Sequence, residues 1–186
     1  MSIKLISKIH IKLEFIVVLI LMCILKNKIY FISYTSLIMH ELGHILLILH
    51  LKKEINYINV CGFGLECNVN NLSNIYEKFL VKLAGPLINL IIAIVFIKFE
   101  TIFNINMALF LINMLPIKPL DGYGIMELIF LNRSKKVVKF VDFSLLLLAY
   151  IISTYFFIKF SNFYLLIFII CVTIKNVQAQ YLFCNN

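Results

Sequence analysis

Apolar residues in this chain are gathered into long runs separated by short polar segments. The runs are Phe15 to Leu25, Ile29 to Leu51, Phe79 to Ile97, Asn104 to Leu115, Leu120 to Leu131, Val141 to Ile158 and Phe163 to Ile174. Such runs predict membrane-spanning helices, each of which needs about 20 residues. Several are shorter than that, so some must combine or recruit flanking residues. Ile29 to Leu51 reads as one uninterrupted helix without proline.

The pattern changes after Lys52 and Lys53. Ile55, Tyr57, Asn59 and Cys61, then Gly62-Phe63-Gly64, then Leu65, Cys67 and Val69 alternate roughly on both sides of a Gly-x-Gly turn, which predicts a short β-hairpin. An isolated hairpin is marginal in water, so it must dip into the membrane interface or pack on helices. Its edge suits an extended substrate strand, as in strand addition, or it is an ordinary connection.

A second break falls in Asn113-Met114-Leu115-Pro116-Ile117-Lys118-Pro119-Leu120-Asp121-Gly122. Two prolines three apart cannot continue a regular helix. The runs on either side are therefore read as one broken span. Irregular backbone at membrane depth is tolerated only where it lines a cavity, which turns Asp121 toward that cavity. The expectation is an all-α membrane protein of about six transmembrane helices, one broken at mid-membrane, with a small membrane-associated β-hairpin. It forms one domain over residues 1–186, with a core at about 29–131 and helical spans at about 141–175.

Composition agrees with this picture. Of 186 residues, 62% are hydrophobic and 14% charged, and the mean hydropathy is +1.00, outside the range of soluble domains. The net charge of +8 does not point to nucleic acid, because the lysines fall mainly between apolar runs. With a cytoplasmic N-terminus and six spans, twelve Lys and Arg lie inside. Only Lys26, Lys28, Lys98 and Lys159 lie outside, and Lys118 falls in the break. This bias places both termini in the cytoplasm. No small-residue cleavage site follows Leu25, so the first run is read as a retained span rather than a signal peptide. The five cysteines suggest no disulfide framework.

Chemistry concentrates in His40-Glu41-Leu42-Gly43-His44. On a helix, His40 and His44 lie one above the other, so both imidazoles can reach one tetrahedral zinc ion. Glu41 sits about 100° round from His40, where a carboxylate can act as general base on a metal-bound water. The alternative is three buried polar groups that satisfy one another, at a cost that ionisable groups in a membrane need a reason to meet. His44 would lie ~10 Å below the cytoplasmic end of its helix, so the site opens to that side. A catalytic zinc usually takes a third protein ligand. Asp121 is the acidic residue at the helix break and is the expected third ligand, although it could also cap the helix that follows. His50 points away from His44, Glu127 lies deeper in the resumed helix, and Asp142 starts the next span. In the third span, Ala84-Gly85-Pro86 allows close helix approach, and Asn89 could bond a carbonyl freed by Pro86.

Together, the motif at His40 to His44, Ala84-Gly85-Pro86 with Asn89, and Asn113 through Gly122 resemble the site-2 protease family of intramembrane zinc metalloproteases. The short pattern of six spans is most like the stage IV sporulation protein FB branch. The resemblance implies one Zn²⁺ per chain on His40, His44 and Asp121, with Glu41 as base. It places Asn113 near the active site against substrate and Pro119 at the break before the aspartate. It likens the hairpin around Gly62-Phe63-Gly64 to a membrane-associated β-element, with Phe63 and Gly64 at the cleft. It further implies a protein substrate in the membrane, such as a membrane-tethered transcription factor precursor in sporulation, and a location in a bacterial cell membrane, the forespore membrane for that branch. Two features depart from the family. Tyr123 stands where a second glycine is common. No nucleotide-sensing CBS pair follows the last span, which leaves regulation absent or supplied by a membrane partner. A non-catalytic zinc carrier or scaffold is the competing reading, and the presence of Glu41 weighs against it.

Overall fold

The computed structural model describes residues 9–61, 64–69, 72, 74–130, 135–160, 169–170 and 173–174. The chain divides into two compact units, residues 1–113 and 114–186.

The first unit contains β1 (Ile9–Ile11), α1 (Leu13–Leu25), α2 (Lys28–His50), β2 (Ile55–Cys61), β3 (Gly64–Val69), α3 (Ile75–Val95) and α4 (Glu100–Asn113). Helix α2 begins where Asn27 accepts the Ile29 N–H on its side chain and runs 23 residues, close to the Ile29 to Leu51 expected. Helix α3 starts four residues earlier than the apolar run suggests. Asn74 caps it by accepting the Tyr76 N–H at 3.0 Å, and Lys53 ties its first turn to the end of α2 through Glu77 at 2.8 Å.

The expected hairpin is present, but it is part of a larger sheet. Strand β1 pairs in parallel with β2, giving the order β1-β2-β3. Thus the residues just before the first expected span form a strand. The alternation read in the sequence also changes phase. Asn56 is an extra residue between the pairs Ile55 with Val69 and Tyr57 with Asn68. A one-residue bulge moves following side chains to the opposite face. Ile55 and Ile58 are therefore both buried, against Ile45 and Ile48 of α2, while Tyr57 is exposed. This apolar contact seats the sheet on the last two turns of α2.

Helices α2, α3 and α4 pack on one another, and small residues set the approach of the first pair. A Cβ at Gly43 would lie 2.8 Å from Ile88 Cγ1 and 2.9 Å from the Ala84 carbonyl oxygen. On α4, Asn106 is fully buried and donates to Ser36 Oγ of α2 at 3.0 Å and to the Ile102 carbonyl at 2.9 Å.

The second unit contains α5 (Asp121–Ile129) and α6 (Lys135–Phe160). Helix α4 ends at Asn113, and helix resumes only at Asp121, so the two-proline segment is non-helical as expected. Tyr123, Met126 and Val138 form this unit's buried cluster. Tyr123 thus fills a core in this unit.

Among the described residues, three helices are long and apolar enough to cross a membrane: Lys28–His50, Ile75–Val95 and Val137–Tyr155. Their outer faces carry exposed large apolar residues, including Phe31 and Leu46 on α2, Ile91 and Ile94 on α3, and Phe143 and Ile151 on α6. Lipid is the solvent in which such faces cost nothing, and the chain is a membrane protein. Of the other expected spans, α1 has 13 residues, α4 has 14 and α5 has 9. The run Phe163 to Ile174 lies mostly outside the described residues.

Candidate metal centre

Within α2, Ser36, His40 and Gly43 are buried on one face, the spacing of four and three that a helix stacks in a line. His40 and His44 bring their Nε2 atoms to 3.3 Å. Two nitrogens bound to one tetrahedral zinc at 2.0–2.1 Å stand about 3.3–3.4 Å apart, so this separation suits a shared metal ion.

The outer nitrogen of each ring is held by α3. His44 Nδ1 lies 2.6 Å from the Val81 carbonyl oxygen. A carbonyl only accepts, so Nδ1 carries the proton and the neutral ring keeps a lone pair on Nε2, the form a metal ligand needs. His40 Nδ1 lies 3.2 Å from Asn89 Nδ2. Asn89 is fully buried, and its Oδ1 has no hydrogen-bond partner among the described residues.

Between these two supports stands Gly85. A Cβ there would fall on His44 Nε2 and lie 2.8 Å from His40 Nε2. The bare Cα leaves open the space a metal shared by both rings would use. The sequence suggested that this glycine serves helix approach; the structure adds that what it approaches is the imidazole pair.

In the second unit, Asp121 is the first residue of α5 and is buried. The capping position is Leu120, with no side-chain cap bond, so Asp121 stands one residue inside the helix start rather than at the cap. The preceding loop folds tightly over the helix start. A Cβ at Gly122 would run into the Met114 carbonyl and lie 2.6 Å from the Leu115 carbonyl oxygen. The Lys118 N–H donates to Asp142 Oδ1 at 3.0 Å, and the Lys118 ammonium lies 4.7 Å from the Tyr123 ring centre. Asp142, passed over as a ligand, anchors this loop.

His40 and His44 in the first unit, and Asp121 in the second, are each of a residue type that can offer a metal ion one ligand atom. Two neutral nitrogens and a carboxylate oxygen are the ligand types of hydrolytic zinc sites. Glu41 is half-buried beside His40 on α2. Asn113, at the end of α4, donates its amide to the Leu109 carbonyl at 3.0 Å. Pro119 is exposed and follows a cis peptide bond. Gly64 begins β3 opposite Cys61, and Phe63 lies outside the described residues. The residues that sequence reasoning missed are Val81 and Asn106, and Asn89 in its role against His40.

No protein-family model matches the sequence, and no curated protein does either. Among solved structures, the chain is similar to the site-2 protease from Methanocaldococcus jannaschii, with a TM-score of 0.67, 21% identity, and coverage of 96% of this chain and 92% of that one. At that identity the likeness is one of fold: the chain is built on the architecture of a site-2 protease.

Proposed function

We propose that this protein is an intramembrane zinc metalloprotease that cleaves a peptide bond in or near a membrane-embedded segment of another protein. The observation that carries this reading is the His40 and His44 pair, with Nε2 atoms 3.3 Å apart on an apolar helix. The fold likeness to a site-2 protease supports it.

In this reading His40, His44 and Asp121 hold the zinc, which would polarise the scissile carbonyl and activate a water. Glu41 takes the proton of the attacking water and returns it to the leaving amine. The Val81 carbonyl and the Asn89 amide keep the two imidazoles in place. A helical substrate hides its carbonyls in its own hydrogen bonds, so it must be extended locally before attack. One edge of β2 is paired to β1 and the other to β3, so an incoming strand is best received on the outer edge of β3. Asn113 and Pro119 remain candidates for substrate contact. The positive-inside bias supports cytoplasmic termini and a site open to the cytoplasm. The sporulation branch would make the substrate a membrane-tethered precursor of a transcription factor in the forespore membrane.

Coexpression with candidate membrane-tethered precursors tests this directly. Wild type should cleave one of them, and Glu41→Gln should cleave at least ~10²-fold more slowly with its zinc content unchanged. A Glu41→Gln protein as active as wild type removes Glu41 as the base. A wild-type protein that binds zinc yet cleaves no membrane-tethered precursor favours the carrier or scaffold reading.

A further inference from the structure

We propose that Asp142 is a positioning residue for Asp121: from α6 it fixes the two-proline loop whose last turn sets where Asp121 begins α5. The inference rests on the reading of Asp121 as a metal ligand in the proposed protease. Every contact it uses lies within the second unit.

The backbone donors of the loop show why an outside partner is needed. Pro116 and Pro119 carry no N–H. Between Pro116 and Leu120, Ile117 donates to the Leu115 carbonyl at 2.8 Å and Leu120 donates to the Ile117 carbonyl at 2.9 Å. The Lys118 N–H is left between them, and it goes to the Asp142 carboxylate at 3.0 Å. A backbone N–H donates and either carboxyl oxygen can accept, so this bond has a single direction. Because Leu120 closes a turn on Ile117, tying Lys118 in the middle of that turn fixes the peptide that leads straight into Asp121. The Tyr123 N–H donates to the Leu120 carbonyl at 3.2 Å, which carries the constraint into the first turn of α5.

A carboxylate on α6 also needs a reason to be there. Asp142 is the only one in the apolar stretch Val137–Tyr155, and ionisable groups at membrane depth are expensive and mark function. Its neighbours show which way it faces. Val138, one turn earlier on α6, is buried with Tyr123 and Met126, and Val141 packs on the same cluster. Residues 138, 141 and 142 share one helical face, so the stripe of α6 that packs on α5 ends in the carboxylate that holds the loop. The Lys118 ammonium lies 4.7 Å from the centre of the Tyr123 ring. One residue is thus held at its backbone by α6 and at its side chain by α5.

The test uses the full-length protein in detergent and three readouts. Amide hydrogen exchange over residues 117–123 reports the loop without metal or substrate. Affinity for Zn²⁺ against a chelator, and cleavage of a membrane-tethered precursor at saturating zinc, report Asp121. Asp142→Leu, similar in size but without an acceptor, should exchange the Lys118 N–H at least ~10-fold faster, the factor for a lost hydrogen bond to a charged group. It should bind zinc about 10-fold more weakly and lower kcat ~10²-fold with KM unchanged, as displacement of a reacting group does. Asp142→Asn keeps an accepting oxygen and should return all three to near wild type. Asp142→Ala serves the same comparison should the leucine variant fail to fold. Wild-type zinc affinity and kcat in Asp142→Leu overturn the proposal even if exchange is faster, because Asp142 is then a structural anchor alone. Asp142→Asn as impaired as Asp142→Leu overturns it too. Should wild type neither bind zinc nor cleave, the metalloprotease reading fails instead, and the exchange rates decide whether Asp142 fixes the peptide before Asp121; equal rates in wild type and Asp142→Leu reject that.

Discussion

Gly85 is the residue at which a single methyl group separates an open space beside the His40 and His44 rings from a filled one. Because its Cβ would fall on His44 Nε2, Gly85→Ala should lose zinc uptake although every ligand is intact. Zinc content per chain, with helix content followed by circular dichroism, checks this; a folded Gly85→Ala protein with full zinc would refute it. The paired imidazoles were legible in the sequence because residues i and i+4 of any helix share a face. Their supports were not. Val81 and Asn89 are 37 and 49 residues from their histidines, and their positions follow from the close approach of α2 and α3 at Gly43. The expectation that Asn89 bonds a carbonyl freed by Pro86 gives way to its contact with His40. Helix α3 continues through Pro86, and the buried ring nitrogen takes the amide. The Ser36 and Asn106 pair one turn away was equally hidden. Such interhelical bonds in membranes average ~0.6 kcal/mol and reach ~1.7 kcal/mol. Removal of Ser36 Oγ by Ser36→Ala should therefore cost about that much in reversible unfolding, and a loss above ~4 kcal/mol would mean that the pair does more than join helices.

At the scale of elements, the segment from Met114 to Leu120 shows how far local chemistry reaches. Its two prolines announced the helix break, and Asp121 at the restart was identifiable by position. The tight return of the loop onto α5 was not, since it depends on Asp142 receiving the Lys118 N–H and on the absence of a side chain at Gly122. Gly122→Ala must push the Met114 and Leu115 carbonyls away and with them the start of α5. We expect a proteolysis-sensitive loop and at least tenfold weaker zinc binding; unchanged protease resistance together with unchanged zinc affinity would contradict this. The sheet teaches the converse. A Gly-x-Gly turn between alternating stretches marked a hairpin, but the extra residue Asn56 carries no signature, and it decides that Ile58 rather than Tyr57 faces α2. Strand β1 is three residues long and has no pattern of its own; pairing with β2 creates it.

For the whole molecule, the mean hydropathy points to a polytopic membrane protein, and the spacing of lysines is the ground for the proposal that both termini lie inside. A reporter that fluoresces only in the cytoplasm should be bright when fused at either end, and darkness at either end would overturn that orientation. Membrane residence, the paired histidines on α2 and the broken helix before Asp121 were determined by the sequence itself. Each depends on side-chain chemistry and spacing within about ten residues, which the chain carries into any fold. The tertiary structure alone decided the third strand, the phase of the sheet, and the partners that orient His40 and His44. These depend on backbones brought together across tens of residues, where one missing Cβ or one extra residue changes which groups meet.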